Sequence, residues 1–238
     1  MNRKLRVLGI VPARGGSKRL PRKNLSLFAG KPLVSRAIET AIASKRLDRI
    51  VVSSDDEDIL KIAREYDSRF PLVRPAEISR DTSLAIEFVH HALETLEAAG
   101  EDRFDAICLV QPSSPLTRPS DIDETLKLLE SNDVDSAVTV SKLDQEIHPL
   151  KLKVLEGDRL LPYIEEEKGR MAAHEIPAIY TRNGSVYTTR RQAIDDGKII
   201  GDVCLGYVMP RELSIDINDR IDLAFAEFMF QRQSNATA

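Results

Sequence analysis

The chain has 238 residues, 42% hydrophobic and 30% charged, which suits one large soluble α/β domain spanning 1–238. A formal net charge of −4 and a pI near 5.7 set nucleic acid aside as a partner. No apolar run reaches the roughly 20 residues of a membrane span, so no membrane partner is expected.

Val7 opens a short apolar run of the kind a buried strand shows, and Pro12 breaks it into a loop. The basic start, Asn2 to Arg6, superficially resembles a leader. However, the apolar run is short, no small-residue cleavage site follows, and cutting there would destroy the loop. Pro32 reads as a first-turn proline opening a helix with Leu33, Ala37, Ile38, Ala41 and Ile42 on one face. Ile50 to Ser53 is a second strand. Ser54-Asp55-Asp56-Glu57 reads as a capping box for a helix to about Tyr66. Phe70 to Val73 is a third strand. Asp81 or Thr82 is expected to cap a long helix with Leu84, Ala85, Phe88, Val89, Ala92, Leu93 and Leu96 on its face. Ala106 to Val110 is a further strand, Ser120 is the expected cap of a helix to about Leu129, and Ala137 to Val140 is again a strand.

Strands alternating with helices predict a mostly parallel sheet with helices on both faces, a Rossmann-like arrangement whose ligands sit beyond the carboxyl ends of the strands. From Lys142 to Tyr187 helical periodicity fades, and residues 142–187 are expected to form a β-rich insertion, with Leu150 to Leu155 as a strand and Asn183-Gly184 as an ordinary hairpin turn. Val203 to Val208 is predicted as a buried strand and about Asp219 to Phe230 as the last helix. Cys108 and Cys204 lie in apolar runs. They read as buried thiols rather than a disulfide, which fits a reducing cytoplasm.

Charge singles out the first loop. Residues 1–38 hold ten Lys or Arg and no carboxylate, so the remainder of the chain carries −14. Gly15 and Gly16 permit converging backbone N–H groups, Ser17 adds a hydroxyl, and Arg14, Lys18, Arg19, Arg22 and Lys23 supply charge-assisted bonds. A glycine pair alone marks a turn. Five cations, no acid and the stiffening Pro21 make an anion site of phosphate type. The spacing is neither a Walker A loop nor a G-x-G-x-x-G fingerprint.

The residues Pro12-Ala13-Arg14-Gly15-Gly16-Ser17-Lys18-Arg19-Leu20-Pro21-Arg22-Lys23-Asn24, with Gly30-Lys31-Pro32-Leu33 after them, resemble the nucleotide-binding signature of the acylneuraminate cytidylyltransferases, the CMP-sialic acid synthetase family. Further blocks extend the resemblance: Arg74-Pro75-Ala76-Glu77 with Asp81-Thr82, Gln111 to Leu116, His148 to Lys151, Asn183-Gly184 with Tyr187, and Ser214 to Asn218.

The resemblance implies transfer of a cytidylyl group from CTP to the anomeric hydroxyl of a nonulosonic sugar acid, releasing pyrophosphate. It implies that Ala13 to Lys18, Lys23, Asn24, Arg74, Asp81 and Thr82 hold the nucleotide, with Mg²⁺, Arg14, Lys18 and Lys23 neutralising charge during reaction. Gln111, Lys151, Asn183 and Tyr187 are implied at the sugar, Asp216 and Asn218 at the metal, and the β-rich insertion in a homodimer. Three departures stand out. Ser83-Leu84-Ala85 replaces a small, serine-bearing stretch, and Asn218 replaces an acid. Thr181 and Ala173 to Pro177 stand where sialate-activating members often carry cations, which suggests an acceptor such as legionaminate or pseudaminate. The rival readings are a 3-deoxy-manno-octulosonate cytidylyltransferase, whose loop resembles Ala-Arg-Tyr-Gly-Ser-Thr-Arg, and a catalytically silent nucleotide binder.

Overall fold

The computed structural model describes residues 4–164 and 177–236. Strand β1 (Val7–Pro12) is buried on both faces, and the other elements are placed by what covers those faces. A short β-ribbon, β2 (Leu27–Phe28) and β3 (Lys31–Pro32), leads into α1 (Leu33–Ala43). Then follow β4 (Arg49–Ser54), α2 (Glu57–Tyr66), β5 (Pro71–Val73), α3 (Ala85–Ala98), β6 (Ala106–Val110), α4 (Pro119–Ser131) and β7 (Ser136–Lys142). A hairpin of β8 (Lys153–Glu156) and β9 (Arg159–Pro162) precedes β10 (Tyr180–Arg190), α5 (Arg191–Asp195), β11 (Cys204–Val208) and α6 (Arg220–Ala236).

The main sheet has the order β11-β7-β10-β6-β1-β4-β5. All its neighbours run parallel except β10, which is antiparallel to both β6 and β7. Strand alternation sorts the core into two layers. Val7, Val11, Val52, Cys108 and Val110 pack under α1, α2 and α4, whereas Leu8, Ile10, Val51, Ile107 and Leu109 pack under α3 and α5. A third cluster joins α6 through Ala226 to Phe28, Leu33, Met209, Ile215 and Ile217, and so ties the chain's end to the first loop's exit. No helix among the described residues is long and apolar enough to cross a membrane.

Local expectations need correction at several places. The N-cap of α2 is Asp56, whose carboxylate accepts from the N–H groups of Asp58 and Ile59. Helix α3 begins at Ala85, and Leu84 is its N-cap, with its N–H bonded to Glu87 Oε2 at 2.6 Å. Asp81 does not cap it, because its carboxylate is engaged by Arg14 and Lys18 and a turn over Arg80–Ser83 intervenes. Ser120 is not a cap either. Arg118 fills that place, its N–H held by Asp121 at 2.7 Å, with Pro119 in the first turn.

Asn183-Gly184 makes no hairpin turn. It lies inside β10, where the register to β7 shifts between Arg182 and Tyr187. Strand β11 is an edge strand rather than a buried one, with Val208 52% exposed. The segment 142–187 starts at the end of β7, contains the β8–β9 hairpin, and from Tyr180 onward is a strand of the main sheet. The positions 173–176 fall outside the described residues. Cys108 is buried and Cys204 half-buried, both as free thiols.

The bulge places Gly184 at φ +78, where an L side chain is strained, and turns the chain toward Asp216 and Ser114. Gly184→Ala is therefore expected to lower stability by about 1–2 kcal/mol in urea unfolding, and Gly184→Asn by less, since asparagine tolerates left-handed angles.

Candidate active site

The carboxyl ends of β1, β4, β5 and β6 all open on one side, and the loops leaving three of them line a cavity of about 560 Å³. From the first loop come Arg14, Gly16, Ser17, Lys18, Arg19, Lys23 and Asn24. From the β5 exit come Arg74 and Asp81, from the β6 exit Gln111, and from the far end of the chain Asn218.

Specific bonds seat the first loop. Ala13 N–H donates to Ser53 O at 3.0 Å, which continues the β1–β4 pairing one residue past the strand. Gly15 N–H donates to Asp55 Oδ1 at 2.9 Å, and the buried Asn24 amide donates to Arg14 O at 2.8 Å. The glycines differ from expectation, because neither Gly15 nor Gly16 has a positive φ. Gly15 is required by close approach: a Cβ there would lie 2.7 Å from Asp56 Oδ2. At Gly16 a Cβ would meet nothing within 4 Å. Arg22 also departs from the expected cluster. It sits in the left-handed region and pairs with Asp58 and Asp56, away from the cavity lining.

Arg74 also lines the cavity. It is only 5% exposed, stacks 4.4 Å over the Phe88 ring, and donates from Nε to Ser53 Oγ and from Nη2 to Ser53 O. Burial pushes its pKa down to about 10, opposed by Asp55 and assisted by Arg14, so it stays charged at neutral pH. Two rigid holders, a cation–π platform and a serine, thus fix a guanidinium at the cavity.

Asn218 links the cavity to a second cluster. Its Oδ1 accepts from Arg19 at 2.8 Å and its Nδ2 donates to Asp216 Oδ2 at 3.0 Å. Lys23 Nζ donates to Ile217 O at 2.8 Å in the same stretch. Beside Asp216 lie Gly184 and Ser114; Tyr187 lies within electrostatic reach of Asp216, and burial raises its phenol pKa. Asn183 is buried and donates to Ser214 Oγ at 2.9 Å. Among the described residues the buried Ser114 and Ser185 hydroxyls have no hydrogen-bond partner, and Ser114 lies beside Gly184 and Asp216.

The expected residues therefore fall into three sets. Arg14, Gly16, Ser17, Lys18, Lys23, Asn24, Arg74, Asp81, Gln111 and Asn218 line one cavity. Asp216, Asn183 and Tyr187 gather beside it. Ala13, Gly15, Thr82 and Lys151 do not line it: Ala13 is wholly buried, and Thr82 and Lys151 are exposed. Arg80, Ile78, Ser83 and Phe88 line the cavity without having been anticipated. Phe88 carried only a helix-core signal, and Arg80 had no signal beyond its place beside Asp81.

Among the described residues no three His, Cys, Asp or Glu side chains group as a metal cage. The donor set here is one carboxylate, Asp216, with its Oδ2 bound to an amide, next to a cationic cavity. That set fits a hard cation such as Mg²⁺ that takes one protein carboxylate and draws its other ligands from phosphates and water.

Burial holds the Lys23 ammonium below the usual lysine range, against Asp216, which raises it, and with help from Arg19 and Arg14. The folded state then binds fewer protons than the unfolded chain between the two pKa values, so stability rises with pH through that window. Below it, the protonated amine costs stability. Lys23→Met is accordingly expected to keep or raise the melting temperature at neutral pH. Its affinity for inorganic tripolyphosphate should fall by about tenfold or more, measured by calorimetry.

Comparison with known proteins agrees with this geometry. Residues 8–202 match the cytidylyltransferase family model. The pseudaminic acid cytidylyltransferase of Campylobacter jejuni is 30% identical over 94% of this chain and 96% of its own length. The CMP-N,N'-diacetyllegionaminic acid synthase of Legionella pneumophila is 31% identical over 98% and 99%. The N-acylneuraminate cytidylyltransferase of Escherichia coli is 30% identical over 96% of this chain but only 53% of its own length. In fold, the chain superposes on a CMP:2-keto-3-deoxy-manno-octonic acid synthetase complexed with CTP, with a TM-score of 0.70 at 15% identity over 96% and 99% of the two chains. A basic cavity at the carboxyl edge of the sheet, ordered motifs along nearly the whole chain and these matches lead to one assignment: the chain is an enzyme of the cytidylyltransferase family, in its sialic-acid-type CMP synthetase branch.

Proposed function

We propose that the protein transfers the cytidylyl group of CTP to the anomeric hydroxyl of a nonulosonic sugar acid, with pyrophosphate as the leaving group. The observation that carries this reading is the gathering of Arg14, Lys18, Arg19 and Lys23 on one cavity whose far edge reaches Asp216 through Asn218. Cations aimed at one volume suit a triphosphate, and a carboxylate at its edge suits the cation that accompanies it.

The chemistry asks little covalent work of the protein. The hydroxyl oxygen attacks the α-phosphorus in line and gives up its proton to solvent water, the bond to the bridging oxygen breaks, and pyrophosphate carries off the electron pair. Arg14, Lys18 and Lys23 hold and neutralise the phosphates, and Arg74, fixed by Ser53 and Phe88, adds a further cation to the cavity lining. Asp216 would hold Mg²⁺, which when bound would supply charge neutralisation and lower the pKa of the hydroxyl. Gln111, Asn183 and Tyr187 are the sugar-side candidates, and Lys151 joins them on resemblance alone.

For the acceptor, we favour a legionaminic- or pseudaminic-type acid. Thr181, a neutral side chain on β10, stands where sialate-activating members often carry an arginine, and two of the full-length relatives are named for these acids. Pyrophosphate release from CTP and Mg²⁺ against a panel of nine-carbon acids is expected to be fastest with this class and at least about tenfold slower with UTP or ATP. A clear preference for N-acetylneuraminate would overturn the acceptor, and loss of CTP preference would overturn the donor.

We further propose a homodimer built on the β8–β9 hairpin. Leu155 and Leu160 are 66% and 65% exposed there, and Tyr163 beside them is 61% exposed. A two-stranded ribbon with an open apolar face is marginal in water on its own. Light scattering at micromolar concentration is expected to give twice the 26.6 kDa chain mass, and Leu155→Lys with Leu160→Lys to give the monomer.

A further inference from the structure

Two of the four first-loop cations that line the cavity already hold an anion. Arg14 Nη1 lies 2.8 Å from Asp81 Oδ1, and Lys18 Nζ lies 2.6 Å from Asp81 Oδ2. The carboxylate thus divides its two oxygens between two residues of the first loop, as a phosphate group divides its oxygens between cations. Asp81 itself lines the cavity. It is not recruited for helix capping, which Leu84 and Glu87 accomplish without it. The Lys18 ammonium, and then the Arg14 guanidinium, hold the Asp81 carboxyl below the ordinary carboxylate range.

From this geometry we infer that Asp81 is a built-in counterion of the phosphate loop, paired with Arg14 and Lys18 and exchanged for the polyphosphate of the incoming nucleotide. The inference rests on the nucleotide-binding reading of the cavity, but it gives Asp81 the opposite role from a ligand. It competes with the substrate instead of touching it favourably.

Two physical consequences follow. The loop's like charges are partly neutralised before substrate arrives, so the loop keeps its shape without an anion from solution. The nucleotide must also displace a carboxylate, so an anion that cannot engage both cations gains little from entering. Because both pairs are open to solvent in part, the exchange costs the nucleotide a modest factor in affinity rather than barring it.

Titration calorimetry on the full chain separates these roles. Asp81→Asn keeps the side chain's size and removes the charge. It is expected to tighten inorganic tripolyphosphate and CTP by about three- to tenfold while leaving neutral cytidine unchanged. If Asp81→Asn leaves tripolyphosphate affinity unaltered or weakens it, the counterion role is overturned. The same holds if cytidine tightens equally, since the effect would then not run through the phosphate cations.

Asp81→Ala, with melting temperatures for both variants, guards against a loop that simply collapses. Tightening in both variants supports the exchange; weakening in both with unchanged melting makes Asp81 a ligand and defeats it. Wild-type protein that binds neither CTP nor tripolyphosphate would defeat the nucleotide reading itself, and the inference with it. Wild-type binding with no gain in Asp81→Asn defeats the inference alone.

Discussion

Concentrated positive charge is the constraint this structure is arranged around. Four cations of one loop face a single cavity, and no carboxylate occurs in the first 38 residues to offset them locally. Two like charges about 4 Å apart repel by about 4 kcal/mol at an effective dielectric near 20, so such a loop cannot hold its shape on side-chain preference alone. The restoring forces are backbone bonds. Ala13 is tied to Ser53, Gly15 to Asp55 and Arg14 to Asn24, and two of these partners, Ser53 and Asn24, are buried. Counter-charge then arrives from distant parts of the chain: Asp81 from the β5–α3 connection, and Asp216 from beyond β11. The loop is local in sequence, but its neutralisation is a property of the fold.

The sheet order explains how those distant acids reach it. Parallel strands β1, β4, β5 and β6 deliver their following loops to one edge. The antiparallel β10, set between β6 and β7, brings its beginning to that same edge, and Gln111 N–H bonds Ser185 O where the β6 exit passes it. Gly184 bends β10 there, so Asn183 and Tyr187 flank the stretch that carries Asp216. Ile217 N–H bonds Ser113 O at 2.8 Å, which stitches the end of the chain to the β6 exit. A purely parallel sheet would have sent that strand's start to the opposite edge.

Much of this was legible from the residues. The buried runs at Val7, Ile50 and Ala106 have no other reading than core strands, and the acid-free loop between Pro12 and Asn24 points to an anion by composition alone. What escaped is non-local. Asn-Gly at 183–184 has the chemistry of a tight turn, and only pairing with β6 and β7 on both sides makes it a bulge inside a strand. Asp81 has the chemistry of a helix cap, and only the arrival of Arg14 and Lys18 diverts it. Val203 to Val208 reads as buried by hydropathy, yet β11 lies at the sheet's edge, paired on one side only among the described residues. Phe88 was readable as core but not as the platform beneath Arg74, since that role depends on where β5 ends.

Position 218 shows how one neutral side chain can organise charge on both sides of itself. An amide has a donor end and an acceptor end, and here the chemistry admits only one orientation: the NH₂ faces the Asp216 carboxylate and the oxygen faces the Arg19 guanidinium. A carboxylate in its place would repel Asp216 and pair with Arg19 by full charge, withdrawing one cation from the cavity. The amide instead holds Arg19 by a weaker bond and leaves Asp216 as the negative partner of this pair. The cavity edge is one charge less negative than with two acids, so it is less repellent to a polyanion. Asp222 already stands close by, bonded to the Asn218 N–H at 2.8 Å, so an amide at position 218 spares a cation-lined cavity one more competing acid.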